Sequence, residues 1–341
     1  MINVGVIGYG YWGPNLVRNF MEASGSTVAY ISDRRAECLA AVRRRYPSPK
    51  TTLDPFDLIG DSSVDAVAIA TPVATHFELA LRALKAGKHV LVEKPLAATS
   101  EQCATLIEEA SRKNLVLMVD HTFVYTGAVR KIRELVTSRV LGDIYYYDSV
   151  RVNLGLFQHD VNVIWDLAVH DLSILDFVLD GKPVAVSATA INNIAGQPEN
   201  VAYITLFFSG NEIGHIHVNW LAPVKVRRTL IGGSEKMIVY DDIEPSEKLK
   251  MYDKGIRIEP QREELYELLV SYRSGDMWAP KLDTTEALRT EALHFIECIE
   301  RGKRPLTDGE SGLRIVRLLE AAEKSAAGRG ALVELARRCA S

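Results

Sequence analysis

The chain lacks any pair of cysteines close enough to suggest a clasp. Cys38, Cys103, Cys298 and Cys339 are its only four cysteines in 341 residues. They are far apart and no C-x-x-C occurs, so neither a disulfide framework nor a thiolate metal site is indicated. They read as small buried hydrophobes, and no metal is expected. No apolar run approaches the ~20 residues needed to span a bilayer, and the first residues show neither a basic leader nor a small-residue cleavage site. The expectation is a cytoplasmic protein that does not enter a membrane. Positive charge is not in excess either. With 40 Lys and Arg against 44 Asp and Glu, the formal net charge is -4, which gives no basis for binding nucleic acid or an anionic membrane. Internal repeats, low-complexity tracts and long linkers are also missing; the least regular stretch runs from about Gln261 to Lys281. What is present is a globular composition, 47% hydrophobic and 25% charged, at a length beyond one ordinary core. Two domains and a small-molecule partner follow.

In the first third, apolar runs alternate with helical patterns: "INVGVIG", a helix from about Pro14, "TVAYISD", a helix with Arg34 to Tyr46, "VDAVAIAT", a helix from His76, "HVLVEKP", a helix from Ser100, and "LVLMVD". Strands apolar on both faces and joined by helices predict a doubly wound parallel sheet, an N-terminal Rossmann domain over 1–120. "KAGKH" fits a helix stopped by a glycine. After Asp120 the pattern changes. A helix near Ala128 to Arg139, the strand "DIYYYDSVRV" and a helix from Trp165 to Leu179 lead into a succession of strands. In "EIGHIHVNW" Gly214, Ile216, Val218 and Trp220 share one face, and His215, His217 and Asn219 the other. With turns at "SGNE", "GGSE" and "DKG", this predicts a C-terminal α/β domain over 121–341 with an open, mainly antiparallel sheet. The apolar face of that sheet needs cover, from the helix at 165–179, from helices at about 285–300 and 310–326, or from another subunit.

Gly8, Gly10 and Gly13 follow a buried strand and open a helix, the context in which G-x-G-x-x-G cradles a pyrophosphate. The glycines supply a tight turn, backbone access and close helix packing, and the helix N-terminus faces the phosphates. Pro14 suits a first helical turn. Asp33, at the end of the second strand, is placed for the ribose hydroxyls and favours NAD over NADP; Arg34 and Arg35 beside it suit either adenine stacking or a 2'-phosphate. Tyr9, Tyr11 and Trp12 are unusual in such a loop. Tyr11 and Trp12 are expected to wall the cofactor and substrate crevice, with packing onto the second domain as the alternative. Two further loops, with Thr71, Pro72 and His76 and with Glu93, Lys94 and Pro95, fall at the same carboxyl edge, where open α/β sheets bind ligands.

In "WDLAVHDLSIL", Asp166 and His170 are four apart on one helix face. A carboxylate orienting an imidazole is a proton acceptor for neutral pH; alternatively Asp166 is an N-cap and His170 a satisfied histidine. Arg151, Asn153, His159, Asn162, Trp165 and Lys281 are candidates for substrate contacts. Arg151 suits a bidentate phosphate or carboxylate, or else pairs with Asp148 or Asp160.

Taken together, G-x-G-x-x-G, the Thr71-Pro72 and His76 loop, Glu93-Lys94-Pro95 and the Asp166/His170 pair resemble the Gfo/Idh/MocA oxidoreductases over essentially the whole chain. The resemblance implies a nicotinamide cofactor, Lys94, Asp166 and His170 around the reacting carbon, a cis bond before Pro95, and a homodimer or homotetramer formed through the C-terminal sheet. "VNVIW" stands before Asp166 where the family often has small glycines, so the pocket shape is in question. "GYGYWGPNLVRNF", "HTFVY" and "WAPKLDTTEAL" resemble the branch of sugar-nucleotide and surface-polysaccharide pathways, lipid A included. That branch implies oxidation at C3 of a UDP-linked N-acetylhexosamine, UDP-N-acetylglucosamine ahead of its uronate, to a 3-oxo sugar for an aminotransferase. Polyol or free-sugar oxidation, and a non-catalytic NAD and sugar-nucleotide sensor, are the rival expectations.

Overall fold

The computed structural model describes residues 1–155, 161–253, 255–258, 270–273 and 275–335. His159, Asp160, Cys339 and residues 261–269 of the irregular stretch lie outside them. In chain order the main elements are β1 (Ile2–Ile7), α1 (Gly13–Glu22), β2 (Ser26–Ser32), α2 (Ala36–Arg45), β3 (Lys50–Thr52), α3 (Pro55–Gly60), β4 (Ala66–Ile69), α4 (His76–Lys85), β5 (His89–Glu93), α5 (Ser100–Arg112) and β6 (Leu117–Asp120). Then come α6 (Gly127–Thr137), β7 (Ile144–Leu154), a π-helical turn (Ile164–Ala168), α7 (Val169–Val178), β8 (Ala185–Ile191), β9 (Val201–Phe207), β10 (Ile213–Asn219), β11 (Leu221–Gly233), β12 (Met237–Asp241) and β13 (Leu249–Tyr252). The chain closes with β14 (Gly255–Ile258), β15 (Val270–Arg273), β16 (Met277–Trp278), α8 (Ala287–Arg301), α9 (Gly309–Ala327) and β17 (Val333–Glu334).

The chain divides into two units. The first holds Met1–Thr126 and Thr284–Glu320, the second Gly127–Asp283 and Ala321–Ser341, so the division falls inside α9. The first unit contains a six-stranded parallel sheet in the order β3-β2-β1-β4-β5-β6. Its central strands are wholly buried at Val4, Val6, Val67, Val90 and Val92, as a sheet covered on both faces requires. Gly87, at φ +81°, ends α4 as expected.

The return of residues 284–320 to the first unit differs from the expected break at 120/121. α8 belongs to the first unit, where it packs on α1: Phe20 and Phe295, both wholly buried, meet edge to face at 6.1 Å. Arg18 also pairs with Glu286 at 2.6 Å, but both side chains are part-exposed, at 32% and 44%. A bridge so exposed contributes about 0–1 kcal/mol. Truncating a buried phenylalanine costs roughly 3–5 kcal/mol, so the ring pair decides where α8 goes. Beyond it, the Val119 amide donates to the Thr307 carbonyl.

The second unit carries a nine-stranded sheet in the order β16-β13-β12-β11-β7-β10-β9-β8-β17. Its pairings are antiparallel except for β7 with β10. The alternation read in β10 holds: Ile216, Val218 and Trp220 are wholly buried, while His215 and His217 on the other face stack with Tyr203. α7 is buried along most of its circumference, from Val169 to Val178. β14 and β15 pair antiparallel in a separate two-stranded sheet. Among the described residues no helix is long and apolar enough to cross a membrane.

Candidate active site

In the first unit, the carboxyl ends of β1, β2, β4, β5 and β6 lead into Gly8, Asp33, Thr71, Lys94 and His121 respectively. Each fingerprint glycine has its own reason. Gly8 sits at φ +95°, and a Cβ there would meet the Ala70 carbonyl at 2.5 Å; one on Gly13 would meet the Gly8 carbonyl at 2.0 Å. At Gly10 a Cβ would find only Arg35, at 3.5 Å. Protein packing accounts for the first and third glycines, whereas Gly10 leaves backbone open on the approach to α1, as a pyrophosphate requires. The loop therefore fits a dinucleotide.

Asp33 is 8% exposed. Its carboxylate accepts from the Tyr9 amide at 2.7 Å, the Arg35 amide at 2.9 Å and the Arg35 guanidinium at 3.1 Å. Burial works to raise its pKa, but the bonds from Arg35 and Tyr9 outweigh it and hold the carboxyl below the usual aspartate range. The arginine that engages Asp33 is thus Arg35, although both it and Arg34 are exposed. Trp12 donates its indole N–H to Asp120 at 2.7 Å, and Tyr11 is 91% exposed.

His76 requires a correction. It is 1% exposed, with Nδ1 2.8 Å from the Pro95 carbonyl and Nε2 2.8 Å from the Thr71 carbonyl. Instead of reaching a cofactor it ties the Thr71-Pro72 loop to the Lys94-Pro95 loop. Burial, and then the nearby Lys94 charge, push its pKa down against those two bonds. The Lys94–Pro95 peptide is cis, as the resemblance implied. Thr71 accepts from the Thr75 hydroxyl at 2.7 Å; Pro72 is exposed and Glu93 and Lys94 are half-buried.

In the second unit Asp166 lies inside the π-helical turn and His170 in the first turn of α7, both half-buried. π turns recur at functional sites. Asp166 is not the N-cap. That role falls to Asn162, whose side-chain oxygen accepts from the Ile164 and Trp165 amides at 3.1 and 3.2 Å. The Trp220 indole instead donates to Asp166 at 3.1 Å. Asn162 and Trp165, each 8% exposed, also donate to Glu323. Both are committed to the start of this helix, not placed as open substrate contacts.

Arg151 also departs from expectation. It is 3% exposed, and its Nε bonds Asp171 at 2.6 Å. Asp148, one partner considered for it, lies 3.4 Å from His215. Burial opposes the guanidinium charge, and Asp171 outweighs it. Along β7, Tyr147, Ser149 and Arg151 share the inner face by the two-residue strand period, and all three grip Asp171. The Tyr147 hydroxyl donates to its carbonyl at 3.2 Å and the Ser149 hydroxyl to its carboxylate at 2.6 Å. The residue after His170 is therefore clamped by β7. Asn153 is half-buried and Lys281 exposed.

The family model described as "Oxidoreductase family, NAD-binding Rossmann fold" matches residues 2–121, and that of the Gfo/Idh/MocA C-terminal domain matches 129–239. The chain belongs to the Gfo/Idh/MocA family. It is accordingly an oxidoreductase with an NAD-binding Rossmann domain. Within the family, UDP-N-acetylglucosamine 3-dehydrogenase of Acidithiobacillus ferrooxidans is 26% identical over 324 residues, 92% of this chain and 94% of that one. The structure of that enzyme superposes with a TM-score of 0.78 at 25% identity, covering 96% and 97% of the two chains. Myo-inositol 2-dehydrogenase of Thermotoga maritima is 26% identical over 342 residues, 95% and 96% of the chains. An aldose-aldose oxidoreductase of Caulobacter crescentus shares the fold at TM-score 0.83 and 20% identity, over 98% and 99%.

Proposed function

We propose that this protein oxidises the C3 hydroxyl of UDP-N-acetylglucosamine with NAD, giving a 3-oxo sugar for later transamination. The observation that carries this reading is the likeness to the Acidithiobacillus enzyme in both sequence and fold over more than nine-tenths of each chain. In this reading Gly8, Gly10, Gly13 and Asp33 would hold NAD, which would supply the hydride acceptor for oxidation at C3. Neutral His170 accepts the hydroxyl proton, with Asp166, itself held by Trp220, orienting the imidazole. The Lys94 ammonium stabilises the developing alkoxide as a preorganised donor. A second copy of the chain covers the open face of β9 and β10, where Tyr203, Phe207 and Ile213 are 46%, 37% and 45% exposed.

The test is NADH formation with UDP-N-acetylglucosamine, its uronate, myo- and scyllo-inositol and free aldoses. Turnover with UDP-N-acetylglucosamine in preference to its uronate supports the reading, and turnover with an inositol alone overturns it. A polyol dehydrogenase is the second reading, favoured by the equally long likeness to myo-inositol 2-dehydrogenase. His170→Asn and Lys94→Ala test the chemistry. A general acid–base role predicts a fall in kcat of about 10²–10⁴ for His170→Asn with the fold intact, and a kcat near wild type removes the residue from the mechanism.

A further inference from the structure

Behind the dinucleotide loop the first unit buries a group that the proposed reaction does not use. Glu291, on α8, is 0% exposed. No hydrogen-bond donor among the described residues meets either of its carboxyl oxygens, and the polar groups that act on it are the Asp120 carboxyl at the end of β6 and the Thr122 hydroxyl. Asp120, 2% exposed, also accepts from the Trp12 indole at 2.7 Å and the Thr122 hydroxyl at 2.5 Å. Glu93 is its register neighbour on β5. Two neighbouring carboxyl groups in a dry site do not both ionise, because the like charges repel and neither is hydrated. Asp120 collects N–H and O–H donors whereas Glu291 has none among the described residues, which marks Asp120 as the acceptor of the pair. Glu291 is then the acid.

We propose that Glu291 is kept as a neutral carboxylic acid that donates its proton to Asp120, and that this pair positions Trp12, the residue at the head of the pyrophosphate helix α1. Glu291 is thus a positioning residue for NAD, acting through Asp120 and Trp12. The groups facing it bear this out. Burial, then the charge and hydrogen bond of Asp120, then Glu93, push the Glu291 carboxyl well above the usual range, and only Thr122 pulls the other way. Tyr125, the last residue of the 3-10 turn Thr122–Tyr125 that follows β6, is raised well above its usual value by burial and then by Glu291. His121 on the turn is 2% exposed, and His294 on α8 packs its ring against Tyr125 at 5.7 Å. A folded-state pKa raised above the unfolded value means the arrangement is complete at low pH and lost as pH rises through the raised value. NAD binding then weakens on the alkaline side.

The inference rests on the NAD-binding fold and not on the substrate, so its readout is cofactor binding. NAD titrations across pH compare wild type, Glu291→Gln, Glu291→Ala and Trp12→Phe, with infrared spectra of the same proteins. Glutamine imitates the neutral acid. Glu291→Gln is expected to bind NAD within about twofold of wild type at neutral pH, to lose the alkaline weakening, and to lose one protonated-carboxyl band. Glu291→Ala weakens binding roughly tenfold, the scale of one hydrogen bond to a charged group, and Trp12→Phe removes the alkaline weakening as well. Three results would overturn the proposal: an unchanged pH profile in Glu291→Gln, an alkaline weakening that survives in Trp12→Phe, or a wild-type spectrum without the extra carboxyl band.

Discussion

The two units place their buried polar groups differently. In the first, buried side chains act on loops at the carboxyl edge of the parallel sheet: His76 joins two of them, Asp33 takes the Tyr9 amide, and Asp120 takes the Trp12 indole. In the second they act on the start of one helix. Arg151, Ser149 and Tyr147 clamp Asp171, Asn162 caps the π-helical turn, and Trp220 holds Asp166. In the proposed reaction, loop ties shape the surface that the dinucleotide enters, whereas helix ties fix the direction of the side chains proposed to move a proton. The contrast predicts that first-unit changes act on cofactor binding and second-unit changes on stability and kcat.

The largest expected effect belongs to Arg151→Met. Removing one partner of a buried ion pair costs about 3–5 kcal/mol, because the other charge stays buried. For a domain of this size that lowers Tm by roughly 10 °C. The double substitution Arg151→Met/Asp171→Leu restores most of the loss, since neither charge is left alone. If Arg151 contacts substrate instead, Tm stays unchanged while KM rises, and the contrast between the units fails.

Next comes Asp33→Ala: a ribose hydroxyl donating to the charged carboxylate contributes about 1.5–3 kcal/mol, so NAD binding is expected to weaken by roughly 10–100-fold, with a smaller fall in Tm as the Tyr9 and Arg35 bonds are lost. Its pH dependence has a definite sign. The folded-state pKa lies below the unfolded value, so the contribution of Asp33 is complete above the ordinary aspartate range and is lost only as pH falls through the lowered value. Arg35→Ala takes away the bonds that lower it. The acid limb of NAD binding, read by titration, then moves up toward ordinary pH values for an aspartate.

What the sequence revealed follows the same division. The G-x-G-x-x-G turn, the acidic residue after β2 and the Rossmann order were legible because each is written in a contiguous stretch of the chain. Asp120 and Glu291 were not, since the acid arrives on a helix from the far end of the chain and neither residue sits in a motif. Arg151 misled for a related reason. An arginine on a strand next to half-exposed positions suits a phosphate until the strand period shows that Tyr147, Ser149 and Arg151 face the same way, toward Asp171. Trp220 was read as core, which its zero exposure bears out, but nothing local indicated that its indole N–H reaches Asp166. The π-helical turn had no sequence signal at all.

The smallest effect is also the most discriminating, because Asn162 was expected to contact substrate and is found capping the segment that carries Asp166 and His170. A cap replaced by alanine costs about 1 kcal/mol, and serine serves as a cap nearly as well as asparagine. Asn162→Ala is therefore expected to lower Tm by a few degrees and reduce kcat modestly, as the imidazole loses its fixed direction, with KM close to wild type. Asn162→Ser should recover both. A substrate ligand gives the reverse pattern: Tm unchanged, KM raised in both variants, and no rescue by a hydroxyl whose reach is shorter than the amide's. The Tm of the two variants, read beside their KM and kcat, assigns Asn162 to the helix or to the substrate.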